Sequence, residues 1–427
     1  MAAWIGGCGA STENTGPCMT DLSCRGDRIC HEGRCRFEEE VRTELAGTGA
    51  SSGGETLIDG AIETPDGGVA TALETTVILE TTGGAAEGFA AFMGGARHTG
   101  RARGVGPSVE PTLAWTYRTT ARIYAAPVVG SDGTIYVGSR DRSFVALAPD
   151  GSLRFRYTAA DAFYGAAAIA SDGTVIVGNH DGSVVALTPL GQVRWRRTLG
   201  APVDGSITIE RSSGTIFVSS DGLYALSPGG EVLWHVASAG ALRSPPAIHP
   251  RGYVVVGTTD GRVMAVSFDG EVAWETAAGA SIDGGVAIAD DGTMVVGTDL
   301  GHVVALSPEG RIRWRFEVGG DVRATPAIAP DGTIVVGSDD RIIWGITDAG
   351  VERFRHRTSG RVRSSALIDA EGRIYVGSQD DFLYCLAPDG TLVFRKNLGH
   401  DVDSSPALGA DGTLYVGADD GGLYALR

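Results

Sequence analysis

The stretch Asp331–Trp344, DGTIVVGSDDRIIW, opens on an Asp-Gly pair, runs through two short blocks of Ile and Val, and ends on an aromatic ring. An alanine-, glycine- and arginine-rich run then leads into another copy. The closing aromatics Trp115, Phe155, Trp195, Trp234, Trp274, Trp314, Phe354 and Phe394 follow one another at 40 residues, with a single step of 39. The turns keep phase with them: Asp132-Gly133, Asp172-Gly173, Ser213-Gly214, Arg251-Gly252, Asp291-Gly292, Asp331-Gly332, Glu371-Gly372 and Asp411-Gly412. Two landmarks in phase at a period near 40 mark a repeat architecture, here with eight units.

Each unit divides into four short apolar runs separated by turn residues. In the sixth these are 327–329, 333–336, 342–346 and 351–354. Runs this short, rich in Val, Ile and aromatics and joined by Asp-Gly, predict four-stranded antiparallel sheets. Eight such sheets in series predict an all-β, eight-bladed β-propeller. The first repeat is preceded by a lone outer-strand segment at 113–117, and the last lacks its fourth strand, so the N-terminal strand is expected to close the ring and remove an open edge. The closing rings are expected to wedge between blades. Cys385 stands where the other copies have Ala146, Ala186, Ala225, Ala265, Ala305, Gly345 or Ala425, which predicts a buried, unpaired thiol.

Upstream of the propeller, assigned to 92–427, the chain reads as three pieces: a truncated signal-like segment (1–8), a small cysteine-rich module (9–36) and a flexible acidic linker (37–91). Ile5-Gly6-Gly7-Cys8 resembles a bacterial lipobox, making Cys8 a candidate lipidation site, although seven preceding residues are too few for a signal peptide. Cys18, Cys24, Cys30 and Cys35 lack the paired short knuckles of zinc sites. They predict two disulfides of open connectivity, and with them an oxidising compartment. Residues 38–87 carry eleven acids against Arg42 alone, which predicts a disordered, self-repelling tether. The segment around His98 is expected to lie across the propeller rim on its way to the first strand. The net charge of −17 argues against nucleic acid as a partner, and no run approaches the ~18 apolar residues of a membrane-spanning helix.

Arginines flank the closing aromatics on several outer strands: Arg154 and Arg156, Arg194 and Arg196, Arg313 and Arg315, Arg353 and Arg355. They are read as edge protection rather than as a polyanion site. Against this uniform background the copies diverge at one position, just before the innermost strand: Tyr124, Tyr164, Asp204, Arg243, Asp283, Arg323, Arg363 and Asp403. Inner strands line a propeller's channel, so these eight are expected to ring its mouth as a candidate partner- or ligand-binding site. The competing reading is self-neutralisation in the pairs Asp204–Arg243, Asp283–Arg323 and Arg363–Asp403. Asp260, Asp299, Asp340, Asp380 and Asp420 in the adjacent hairpins are read as turn formers.

The copies DGSVVALTPLGQVRW at Asp181, DGRVMAVSFDGEVAW at Asp260 and GHVVALSPEGRIRW at Gly301 resemble the repeat of PQQ-like β-propellers, which include quinoprotein alcohol dehydrogenases and BamB-like envelope lipoproteins. The dehydrogenase branch would imply PQQ, a calcium ion and a catalytic Asp. This chain has neither the adjacent cysteine pair of many such enzymes nor room for their long insertions, so no catalytic residue and no cofactor is assigned. The reading is a non-catalytic, monomeric scaffold of the bacterial cell envelope that binds a protein partner. A glycan- or small-anion-binding module at the mouth and a PQQ-dependent oxidoreductase are the alternatives.

Overall fold

The computed structural model describes residues 28–31, 34–37 and 89–427. The chain forms two units, divided after Glu80. In the first, Arg28–His31 and Arg34–Phe37 form a two-stranded hairpin in which Cys30 stands directly opposite Cys35. Cys8, Cys18 and Cys24, together with most of the acidic linker, lie outside the described residues.

The second unit is an eight-bladed propeller of four-stranded antiparallel sheets. In blade 6, Ala327–Ile328, Ile334–Gly337, Ile342–Ile346 and Glu352–Arg357 run from the channel outward. The second and third strands are buried almost throughout, because both of their faces meet a neighbouring blade. Outer strands alternate between exposed and half-buried residues, since only one of their faces is covered. Blade 8 takes its outer strand, Leu113–Arg118, from the start of the propeller: Trp115 pairs with Ala425 and Tyr117 with Leu423, which closes the ring.

The closing rings sit between blades, and all but Phe394 lie against a left-handed glycine in the next blade's outer turn. A Cβ on Gly350 (φ +76°) would stand 2.5 Å from the Trp314 ring. The indole N–H of Trp314 donates to the Asp348 carbonyl at 2.8 Å, and Trp115, Trp195 and Trp234 repeat this bond to Pro149, Pro228 and Phe268. Phe354 and Phe394 are buried, whereas the tryptophans and Phe155 remain partly exposed. Cys385 is fully buried and opposite Phe394, and burial pushes its thiol up to about 12.

The first arginine of each outer-strand pair is bound within its own blade, whereas Arg156 reaches the Tyr117 hydroxyl and Arg315 the Ala277 and Ala278 carbonyls of the preceding blade. Arg154, Arg194, Arg313 and Arg353 each reach the carboxylate of the Asp-Gly turn and the Thr two residues beyond it, as Arg353 does with Asp331 and Thr333. The edge therefore carries ion pairs rather than a free basic stripe.

The lead-in segment departs from the sequence expectation. It does not lie on the rim but follows the inner edges of the blades around the channel as a strap, beginning at Phe89, inside the stretch assigned to the linker. Inner strands of six blades donate to its carbonyls in turn: Val129 to Phe89, Ile169 to Ala90, Ile248 to Ala96, Ile288 to Arg97, Ile328 to Thr99 and Ile368 to Gly100. The innermost strands leave one edge of backbone groups facing the channel, and the strap satisfies them. His98 is buried within it, packed edge-on to Phe92, and burial lowers its imidazole to about 4.

Candidate functional site

The divergent position is set by an alternation in the short extended segment before each inner strand. The central residue of the triplet points inward: Val322, Val362 and Val402 are fully buried. Each meets the glycine that ends the previous blade's second strand. A Cβ on Gly337 would come within 2.2 Å of Val362, so only glycine admits the contact. With the middle residue held there, its neighbours turn to the channel. The eight residues Tyr124, Tyr164, Asp204, Arg243, Asp283, Arg323, Arg363 and Asp403 line one cavity of about 180 Å³, with Phe92 of the strap also in its wall. Beneath the ring, Ser206, Thr325, Ser365 and Ser405 each accept an amide from the preceding blade, at 2.7 to 3.0 Å.

The side-chain contacts of the ring reach beyond the pairs that sequence order suggests. Asp204 meets His180 Nδ1 at 2.7 Å, and Asp283 lies 3.7 Å from Arg243. Arg323 stands 3.4 Å from Asp321. Arg363 grips Asp339 with two bonds of 3.1 and 2.9 Å, and Gln379 donates to both oxygens of Asp403. The partners His180, Asp339 and Gln379 form a second layer, one residue into the hairpin joining strands two and three, together with Arg140, Asp299 and Asp419. Sequence reasoning missed this layer. A backbone bond fixes it: Asp339 N donates to Asp321 O at 2.9 Å, and Arg140, His180, Asp299, Gln379 and Asp419 repeat that bond in their own blades. The signal was present in the sequence, since this hairpin position varies between copies as much as the ring does.

Two members of this layer are electrostatically unusual. Asp419 is buried against Arg122 at 3.5 Å, and neither carboxylate oxygen accepts a hydrogen bond among the described residues. Burial first, then the like charge of Asp403, pushes its carboxyl well up despite Arg122. Asp299 was grouped with the turn formers, but the structure corrects this. Asp340, Asp380 and Asp420 accept hairpin amides, whereas Asp299 faces Asp283 and Arg323, has one oxygen without a hydrogen bond, and is raised to about 6 by burial and then by Asp283. On the opposite side of the mouth Tyr124 and Tyr164 stack at 6.3 Å, and the Arg140 guanidinium lies 5.5 Å from both rings. The Tyr124 hydroxyl accepts from Arg122 at 2.8 Å, and burial drives its ionisation far above the usual phenol range.

Four overlapping matches to the family profile described as outer membrane protein assembly factor BamB, a PQQ-type repeat, cover residues 110–228, 219–283, 268–369 and 355–427. The chain belongs to this family. No curated protein matches it significantly by sequence. Among solved structures it resembles BamB from Moraxella catarrhalis, at 18% identity and a TM-score of 0.63 over 74% of this chain and 99% of that one. It also resembles the quinohemoprotein alcohol dehydrogenase of Comamonas testosteroni, at 13% identity and a TM-score of 0.70 over 80% of each chain. A europium-containing methanol dehydrogenase aligns at 13% identity and a TM-score of 0.67, over 78% of this chain and 90% of that one. At these identities the shared property is the fold.

The dehydrogenase branch implies a quinone and a metal ion. Among the described residues no group of three or more His, Cys, Asp or Glu side chains is placed to hold a metal ion.

Proposed function

We propose that this protein is a non-catalytic scaffold of the bacterial cell envelope, anchored through Cys8, stabilised outside the propeller by disulfides among Cys18, Cys24, Cys30 and Cys35, and docking a protein partner at the channel mouth. One observation carries the reading: every blade contributes one polar or aromatic side chain to a single mouth, and a second layer of partners holds these side chains in place. Preorganised charges of both signs around an aromatic pair suit recognition of another protein's polar surface, because the cost of ordering them is met within the scaffold itself. The family description, an outer-membrane assembly factor, agrees with an extracytoplasmic, protein-binding role.

The test is Arg243→Ala combined with Arg323→Ala. Arg363 is left intact, because its loss would strand Asp339. With photo-crosslinkers at Tyr124 and Tyr164 in envelope fractions, the double variant is expected to lose a discrete crosslinked partner while its melting temperature stays within about 2 °C of the parent. Equal loss of crosslinking and stability would assign the arginines to the fold alone. A titration of the protein with PQQ and calcium is expected to show no saturable binding.

A second reading has its own observation. The Tyr124–Tyr164 stack, with Arg140 against both rings, forms a flat aromatic platform beside cationic groups, which suits a sugar ring or small anion. Saturable quenching of tyrosine fluorescence by a neutral oligosaccharide, lost in Tyr164→Ala, would favour it.

A further inference from the structure

On the face opposite the mouth, each blade packs against the first hairpin turn of the next, leaving room for a slot between them. Several interfaces fill this slot from within. Blade 4 fills it with Tyr253, stacked on His249 at 4.3 Å, and the Tyr253 hydroxyl donates to the Pro308 carbonyl of blade 5. Blade 3 places Phe217 against Phe268 at 5.7 Å. Blades 1, 7 and 8 carry Tyr136, Tyr375 and Tyr415 on their second strands. Blades 2 and 5 have only Ile176 and Val295 there, but the larger wedges Trp195 and Trp314 close on the next blade and bond its turn carbonyl.

Blade 6 has neither device. Its second strand carries Val335 and its wedge is Phe354, which leans towards Gly345, where a Cβ would lie 2.3 Å from the ring. The result is a mainly apolar slot of about 190 Å³ lined by Pro330, Thr333, Val335, Gly372, Ile374 and Pro388, with Ala329 and the Arg353-bound Asp331 also in its wall. An apolar cavity of about 150 Å³ suffices to take a benzene ring. The Pro388 carbonyl, equivalent to the Pro308 carbonyl that Tyr253 reaches, receives no hydrogen-bond donor among the described residues. The neighbouring slot shows what can cross here: the chain itself passes over it at Gly106-Pro107, and the Tyr375 hydroxyl donates to the Pro107 carbonyl at 2.9 Å.

We propose that the slot between blades 6 and 7 receives a tyrosine side chain from a partner polypeptide lying across this face, with the ring against Val335 and Ile374 and the hydroxyl donating to the Pro388 carbonyl. The occupant is argued from the chain's own fillings, which are aromatic: Tyr253 is the one that reaches the turn carbonyl from the second strand, and its donor is a phenol, whereas Trp195 and Trp314 reach theirs from the outer strand. The site lies at the far end of the inner strands from the mouth, so it stands or falls independently of the mouth as a docking site.

The test titrates the full chain with p-cresol, toluene and the peptide acetyl-Gly-Tyr-Gly-amide, following the methyl resonances of Thr333, Val335 and Ile374. Saturable shifts are expected with p-cresol and the peptide, with toluene about fivefold weaker for want of one hydrogen bond. Val335→Tyr restores the residue that blades 1, 7 and 8 carry, so it is expected to fold, to raise the melting temperature and to abolish all three sets of shifts at Thr333 and Ile374. Three results would each overturn the proposal: no shifts in the parent, shifts unchanged in Val335→Tyr, or binding of p-cresol without the peptide.

Discussion

Asp299 shows how burial and a like charge act on a single carboxylate. Its folded value is raised from the ordinary 3.8 to about 6 by burial and by Asp283, so the folded state holds this proton more tightly than the unfolded chain does. The contribution to stability is whole below about pH 4, falls between about 4 and 6, and is lost above that. Asp299→Asn keeps the shape and removes the charge, so its advantage over the parent is expected to be smaller at pH 4.5 and to grow by ~1 kcal/mol on going to pH 7.5. Urea denaturation at both values would read the difference, and a gap that does not grow with pH would contradict the assignment. The misreading of this residue has a simple cause. Blade 5 has one acid in its hairpin where blade 6 has Asp339 and Asp340, and an acid beside a turn reads as a turn former. Counting 40 residues from Asp299 lands on Asp339, not Asp340, so the repeat itself held the correction.

Among the elements, the blades were legible and the strap was not. Strands announce themselves through Val and Ile blocks between Asp-Gly turns, because burial on both faces demands those residues. The strap meets the inner strands through its carbonyls, which carry no sequence pattern, and although Arg97 and Arg101 also pair with Asp290, its composition of Gly, Ala and Arg looks like a linker. One position does betray it. Gly100, at φ +72°, lies where a Cβ would come within 2.7 Å of Ala327 and of the Ala366 carbonyl. Gly100→Val is therefore expected to unseat this part of the strap at a cost of ~2–4 kcal/mol. Hydrogen exchange would show it as lost protection at the Ile328 and Ile368 amides, while the outer strands keep theirs. The mouth is intermediate: its eight residues could be found as the place where the copies diverge, but the layer that holds them needed the hairpin geometry.

For the molecule as a whole, the count of eight follows from a period of 40 over the available length, and the closure follows from a strand lacking a blade at one end and a blade lacking a strand at the other. The closing strand also protects the last edge. Trp115→Pro with Tyr117→Pro removes donors and adds ring clashes along Leu113–Arg118, leaving Gly422–Leu426 as an open apolar edge. Dimers or larger species are expected by size-exclusion chromatography with light scattering, where the parent is expected to run as a monomer.

The strap also sets a timetable. It is synthesised before any blade, yet its six hydrogen-bonding partners run from Val129 to Ile368, so its last partner follows it by more than half the chain. At ~5–20 residues per second, the stretch made first waits on the order of 10–60 s for its final neighbour. Contacts so distant in sequence form late, so a seated strap reports that most of the ring has already assembled. Until then the channel is open at both ends, and a chaperone has that interval in which to hold the nascent chain.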